Sequence, residues 1–332
     1  MKKILVTGVA GMIGSHLADE LLIKGYKVLG VDNLSAGRIE NIAHNLNNPN
    51  FIFHNIDILN YKKLEKACLG NNIEAIVHLA ANKKIAEDGN SLDVLINNVR
   101  GTENALKLAK RTKSRFILGS TSDVYGMSCD IPFKENGNLL LGPTIAKRWS
   151  YAVSKIYSEQ LAFAYYKEHR VPIVILRYFG AFSPRASFDW RSGHIPVFID
   201  AILNNREIVI HGDGTQTRSM GYVTDLVRGT VLAMQNLDAV GEIINIGNDE
   251  ELSVIDTAYL IKKTVEEVTG RCVELKLRFV PFREVFGKYR DIMRRVPDLS
   301  KARKLLGYEP KVKLQDGLRK TVVERVAYLT RA

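Results

Sequence analysis

The first fourteen residues constrain the fold more than any other stretch. Lys3-Ile4-Leu5-Val6-Thr7 is a short apolar run rich in β-branched residues, and it reads as a buried strand. It breaks into Gly8-Val9-Ala10-Gly11-Met12-Ile13-Gly14, and an amphipathic run then continues to Lys24 and stops at Gly25. A strand, a glycine turn and a helix in that order make the opening unit of a parallel α/β sheet. The glycines allow a tight turn and close helix–strand packing, and the helix N-terminus faces whatever negative charge enters the turn. Gly8, Gly11, Met12, Ile13 and Gly14 are therefore expected to cradle a dinucleotide pyrophosphate.

The same rhythm continues. Val28-Leu29-Gly30-Val31 reads as a second strand and delivers Asp32, eighteen residues after Gly14. A carboxylate there accepts ribose hydroxyls and repels a 2′-phosphate, which favours NAD over NADP, although Arg38 lies close in sequence. Phe51-Ile52-Phe53 reads as a third strand, and Asp57-Ile58 after it can sit beside an adenine or simply cap a loop. Ala75 to Ala81 is a fourth strand, in which His78 reads as a core histidine. A helix is expected over 92–110, a strand over 116–118, a helix over 151–168 and a strand over 173–176. This is an α/β, doubly wound parallel sheet of Rossmann type.

From about Gly180 the pattern changes. Pro184, Pro196, Gly212, Gly214, Pro281 and Pro297 divide the remainder into short elements, with no repeats and no flexible linker. The expected organisation is a cofactor-binding domain over 1–180 and a substrate-binding lobe over 181–332, with parts returning to the sheet. Arg218 follows the turn at Gly212 and Gly214, and Arg294 and Arg295 lie in the run DIMRRVPD; together such arginines can clamp a diphosphate. The net charge of +11 is spread along the chain with no nucleic-acid motif or zinc spacing, so nucleic acid is a poor partner. Three scattered cysteines, an N-terminal apolar run cut short by glycine and no membrane-length stretch point to the cytoplasm.

Tyr151-Ala152-Val153-Ser154-Lys155 places a tyrosine and a lysine one helical turn apart. An ordinary phenol titrates near ~10 and is a poor base at neutral pH. A nearby cation favours the phenolate, which is how such a pair becomes a proton acceptor.

Thr7-Gly8-x-x-Gly11-x-x-Gly14, the hydroxyl cluster before Val124-Tyr125-Gly126, Tyr151-x-x-x-Lys155 and Arg177-Tyr178-Phe179 resemble the extended short-chain dehydrogenase/reductases. Within them the resemblance is to the nucleotide-sugar epimerase, dehydratase and decarboxylase group, and it runs from Lys2 to about Leu318. It implies that Thr121 hydrogen-bonds the sugar O4 region, that Tyr151 is the base, and that Lys155 holds the nicotinamide ribose and tunes Tyr151. It also implies NAD contacts at Asn33, Asp57, Ile58 and Tyr178, and along Leu79, Ala80 and Ala81. Lys83 and Asn98 fall where sugar 4-epimerases carry a lysine and an asparagine near the cofactor. Arg218 and Arg295 fall where the group holds the substrate diphosphate, and Ser122, Asp123 and Arg185 are expected at the sugar. In related enzymes the helices matching 92–110 and 151–168 pair across a two-fold axis, so a homodimer is expected.

Two departures bear on the reaction. Gly180 stands where many members have asparagine, and Thr121-Ser122-Asp123 matches no single activity of the group. Ser122 is too weak an acid for the dehydratase step, and Asp123 is one methylene shorter than the glutamate of the decarboxylase pattern. The residues alone therefore rank a UDP-sugar 4-epimerase first, a UDP-glucuronate decarboxylase second and a 4,6-dehydratase third. The non-enzymatic alternative is an NAD-sensing binding protein on the same fold.

Overall fold

A computed structural model describes residues 2–83, 90–286 and 292–330. The expected parallel sheet is present, seven strands wide. Its strands and covering helices alternate along the chain as β1 Lys3–Thr7, α1 Met12–Ile23, β2 Lys27–Asp32, β3 Phe51–Asn55, α2 Tyr61–Cys68 and β4 Ile73–His78. They continue as α3 Ser91–Thr112, β5 Arg115–Thr121, α4 Ser150–His169 and β6 Ile173–Tyr178. The later chain adds β7 Gly180–Phe182, α5 His194–Leu203, β8 Ile208–His211, β9 Thr217–Tyr222, α6 Val223–Gln235 and β10 Ile243–Ile246. It ends with β11 Glu251–Ser253, α7 Val254–Thr269, β12 Leu277–Val280, α8 Phe282–Phe286, β13 Arg294–Arg295, α9 Ser300–Leu306 and α10 Leu314–Leu329.

The large sheet runs β10-β6-β5-β4-β1-β2-β3, with every pair parallel. Strands buried on both faces read as nearly continuous apolar runs, which is why the sequence exposes them. The two-residue period then sorts the side chains. Leu5, Leu29, Ile76, Phe116 and Ile173 point into the core beneath α2, α3 and α4. Ile4, Val6, Val28, Val77, Ile117 and Val174 point to the opposite core, shared with α1, α6 and the later chain. Strand β10 comes from beyond residue 180 yet forms the edge next to β6.

The helix ends follow local chemistry. The Asn90 side chain accepts from Leu92 N and caps α3, which closes on Lys113 in the left-handed conformation. Helix α4 likewise closes on left-handed Arg170. Both helices extend one or two residues past the spans read from sequence. Strand β5 is longer still, because Gly119, Ser120 and Thr121 pair with β6 through Tyr178. That extension carries Thr121 to the end of the sheet where substrates meet open α/β folds.

A second, four-stranded sheet gathers β11, β9, β13 and β7. Its parallel β13–β9 pairing sets Arg295 beside Arg218. Gly180 of β7 pairs with Met220 of β9, and a Cβ there would fall 2.3 Å from the Met220 sulfur. No larger side chain fits without displacing that methionine, which gives the departure at Gly180 a packing reason. Among the described residues no helix is long and apolar enough to cross a membrane.

Candidate active site

The glycine turn has the geometry a pyrophosphate cradle requires. Gly8 adopts φ +72°, and a Cβ on it would lie 2.7 Å from Ala80 N. A Cβ on Gly14 would lie 2.1 Å from Gly8 O, so α1 packs against the turn at a distance only glycine allows. Gly11 caps α1 with no side-chain hydrogen bond, and Met12 and Ile13 form its half-buried first turn. At the end of β2, Asp32 accepts Ala10 N at 3.0 Å and Leu34 N at 2.8 Å, so the backbone holds the carboxylate beside the turn. Burial pushes the Asp32 carboxyl up, with these backbone bonds opposing the rise.

The remaining expected cofactor residues divide into lining and bracing. Asn33 Nδ2 donates to Asp57 at 3.0 Å, while Asp57 also accepts Leu59 N at 2.8 Å, a loop cap that fixes the turn after β3. Ile58 lies under Gly101 of α3, and its carbonyl accepts from Asn104. Leu79 N donates to Thr7 O and Ala80 N to the Thr7 hydroxyl, which hold Leu79 and Ala80 against the glycine turn; Ala81 beyond them is exposed. Asn98 is buried and spends its amide on Asn82 O, Asn82 N and the Ser154 hydroxyl, at 3.0, 2.7 and 2.9 Å. It braces the segment after β4 against α4. The Tyr178 hydroxyl bonds Thr230 of α6 at 2.7 Å, so its ring, not its oxygen, faces Gly119. His78, a core residue as expected, bonds Thr7 and Thr102, and burial pushes it down to about 3.

Thr121, Tyr151 and Lys155 come together where β5 ends beneath the first turns of α4. Lys155 is 3% exposed, and its ammonium donates to Gly119 O at 2.7 Å. Burial lowers it to about 8, with Glu159 one turn further on opposing that fall. Tyr151 departs from the sequence expectation. Burial first, and the Asp123 charge second, push the phenol well above its ordinary value, against the Thr121 hydrogen bond. Lys155 does not offset this, because its ammonium is turned to Gly119 and lies 6.0 Å from the Tyr151 ring centroid. The phenol is thus held in its neutral form.

Asp123 is the electrostatic centre of the site. Its Oδ1 pairs with Arg295 at 2.9 Å and with Arg148 at 3.3 Å, and its Oδ2 accepts from Thr121 at 3.3 Å. Burial alone would raise the carboxyl, but Arg295, Arg148 and half-buried Lys83 overcome it and hold Asp123 far below the usual carboxylate range. Ser122 is buried beside it in the short turn that follows β5. Arg218 reaches the neighbourhood through its register with Arg295, and donates to Thr217 O at 2.8 Å. Arg185 is not brought in: it pairs with Asp19 on α1 at 2.7 Å, away from Asp123. Arg148 is the residue sequence reasoning missed. Its signal was a guanidinium three positions before Tyr151, in a turn that leads directly into α4.

Behind these groups lies a buried brace. Glu159 accepts the Ser120 hydroxyl at 2.5 Å and pairs with Arg177 at 2.7 Å, and Arg177 reaches Glu135 O. Asn245 of β10 donates to Phe133 O and Asp298 O, and accepts the Tyr125 hydroxyl at 2.7 Å. The segment just after Arg295 is thereby tied to the first sheet.

The sequence pattern of the GDP-mannose 4,6 dehydratase family matches residues 5–321. A UDP-N-acetyl-alpha-D-glucosaminuronate decarboxylase of Bacillus cytotoxicus is 36% identical, over 97% of this chain and 97% of its own. UDP-glucuronic acid decarboxylase 1 of Arabidopsis thaliana is also 36% identical, over 96% of this chain and 69% of its own. Among solved structures, the UDP-glucuronic acid 4-epimerase of Bacillus cereus in complex with UDP-glucuronic acid and NAD matches with a TM-score of 0.84. It is 34% identical and covers 98% of this chain and 100% of its own.

Proposed function

Since the chain belongs to the nucleotide-sugar family of extended short-chain dehydrogenase/reductases, whose members are NAD-dependent enzymes, we propose that it decarboxylates a UDP-linked uronic acid. The observation that carries this reading is the Asp123–Arg295 bridge, 2.9 Å long, beside Thr121 and Tyr151. With Arg148 on the same carboxylate at 3.3 Å, two guanidiniums face one embedded carboxylate among the described residues of the sugar end. A C6 carboxylate is drawn to such a pocket more strongly than a neutral C6 hydroxyl, because its bonds to guanidinium are charge-assisted. The reading reverses the order drawn from the residues alone, and the decarboxylase relatives favour the reversal.

Gly8, Gly11, Gly14 and Asp32 would hold NAD, and Lys155 its ribose. When bound, NAD supplies a hydride acceptor for the sugar C4 and a hydride donor at the end of the cycle. Tyr151 takes the C4 hydroxyl proton, and Thr121 hydrogen-bonds the same oxygen. The resulting 4-keto uronic acid is a β-keto acid. Its C5–C6 bond breaks with loss of carbon dioxide, the electron pair moves onto O4, and C5 takes up a proton. The Thr121 and Tyr151 hydroxyls face the charge that develops on O4, where stabilisation of this kind has most effect. Asp123 stays ionised, so it does not serve as the acid that a 4,6-dehydratase needs. Its negative charge instead opposes a neighbouring carboxylate, and that repulsion is relieved as carbon dioxide leaves.

Uronate 4-epimerisation is the second reading, favoured by the Bacillus cereus neighbour and by the short Asp123 side chain. Product analysis by NMR separates the two. The protein with NAD should convert UDP-glucuronate or UDP-N-acetylglucosaminuronate to a UDP-pentose with release of carbon dioxide. A C4-inverted uronate with its carboxyl intact would overturn the proposal.

A further inference from the structure

Among the described residues, the guanidiniums of Arg148 and Arg295 both pair with the buried carboxylate of Asp123. The side chains of Arg148 and Arg295 are only 13% and 15% exposed. An anion that enters here meets guanidiniums already held in place and shielded from most of the solvent. The ligand class proposed above carries two kinds: a diphosphate and a C6 carboxylate.

The two arginines reach the same Asp123 oxygen from different elements. Arg295 belongs to β13 and lies in backbone register with Arg218 of β9, and arginines on adjacent strands suit a diphosphate. Arg148 lies in the turn Lys147–Trp149, directly before α4 and three positions ahead of Tyr151. It is therefore on the wall that holds the sugar's reacting end. Its bond to Asp123 is the longer of the two, 3.3 Å against 2.9 Å, and so the easier to exchange. Its guanidinium also lies 5.8 Å from the Trp149 ring centroid, which restricts where it can swing.

We propose that Arg148 is the residue that recognises the C6 carboxylate of the uronic acid, exchanging its bond to Asp123 for one to the substrate while Arg295 stays on Asp123. Asp123 is then the internal stand-in for the substrate carboxylate at the Arg148 guanidinium. This inference rests on the uronic-acid reading of the site, and holds whether the keto sugar is decarboxylated or inverted.

The test is calorimetric titration of the NAD-loaded protein, in a Tyr151→Phe background that stops turnover, with UDP-glucuronate and with UDP-glucose. The parent should bind UDP-glucuronate more tightly than UDP-glucose. Arg148→Met should weaken UDP-glucuronate about ten- to hundredfold, the size of a lost charge-assisted hydrogen bond, and change UDP-glucose less than about threefold. Arg148→Lys should recover part of the loss. Arg148→Gln replaces the Met variant if that protein does not fold. Equal weakening of both ligands would place Arg148 at the diphosphate or in the scaffold and overturn the proposal, as would no weakening of either. A parent that does not prefer UDP-glucuronate would overturn the uronic-acid reading as well, whereas a preference that survives Arg148→Met overturns the Arg148 assignment alone.

Discussion

At the scale of single residues, burial and neighbouring charge together set the resting state of the site's ionisable groups. Tyr151 is neutral, Asp123 is ionised, and Lys155 is pushed down to about 8. Removing the Tyr151 hydroxyl by Tyr151→Phe preserves the ring packing, so substrate binding should survive while kcat falls ~10²–10⁴-fold. Stopped-flow and titration on that variant check both halves, and near-normal turnover would remove Tyr151 from the reaction. Lys155 gives a pH signature. Its cation is present below about pH 8 and lost above it, so kcat should fall as pH rises through about 8. In Lys155→Arg the charge persists, and the falling limb should move to higher pH; a limb that stays in place excludes this lysine as its source. Asp123 has the opposite sign. Its folded value lies far below the ordinary one of about 4, so its contribution to stability is full above that pH and is lost as the solution is acidified further. Asp123→Asn leaves Arg295 and Arg148 without their counter-charge and should destabilise the protein by about 3–5 kcal/mol, read from urea unfolding at pH 7. In the variant, stability between pH 4 and pH 2 should fall less steeply than in the parent.

At the scale of elements, what was legible in the sequence is what is local. Residues 3–25 announce β1, the glycine turn and α1, because one apolar run, three glycines and one amphipathic period suffice. Tyr151 and Lys155 were legible because a helix fixes their relation within five residues. Arg148 was not, since its partner Asp123 is twenty-five residues away, in the turn that follows β5. Arg185 was misplaced for the same reason: nothing local shows that its partner is Asp19 on α1. Strand β13 has two residues, too few for any period, and only its pairing with β9 reveals it. The conflict over Gly180 likewise resolves only when Met220 is seen across the β7–β9 pair. The Asn245 brace is also non-local, and it makes a prediction. Asn245→Ala leaves the Tyr125 hydroxyl and two carbonyls short of partners, at about 1–3 kcal/mol of stability. It should also raise KM for the nucleotide sugar, because it loosens the segment that presents Arg295. Unchanged KM in a folded variant would confine Asn245 to a structural role.

At the scale of the whole molecule, α3 and α4 pack side by side over one face of the sheet and present Leu92, Val153 and Tyr157 to solvent. Exposed apolar side chains on two adjacent helices suit a second copy, and we expect a homodimer. Light scattering should report twice the chain mass of 37.2 kDa at micromolar concentration, and Tyr157→Glu should return it to the monomer. A monomeric parent would contradict this. The later chain brings Arg295 and Arg218 to the sheet end that carries Thr121 and Tyr151, so the site depends on both halves of the chain. The claim that unites these scales is that this site oxidises C4 so that a C6 carboxylate can leave. The most direct measurement uses UDP-glucuronate labelled with ¹³C at C6, turned over with NAD in deuterium oxide and followed by NMR. The label should appear as carbon dioxide and bicarbonate, and the UDP-pentose should carry one deuteron at C5 and its original hydrogen at C4. A label that stays in the nucleotide sugar, with C4 inverted, would contradict it.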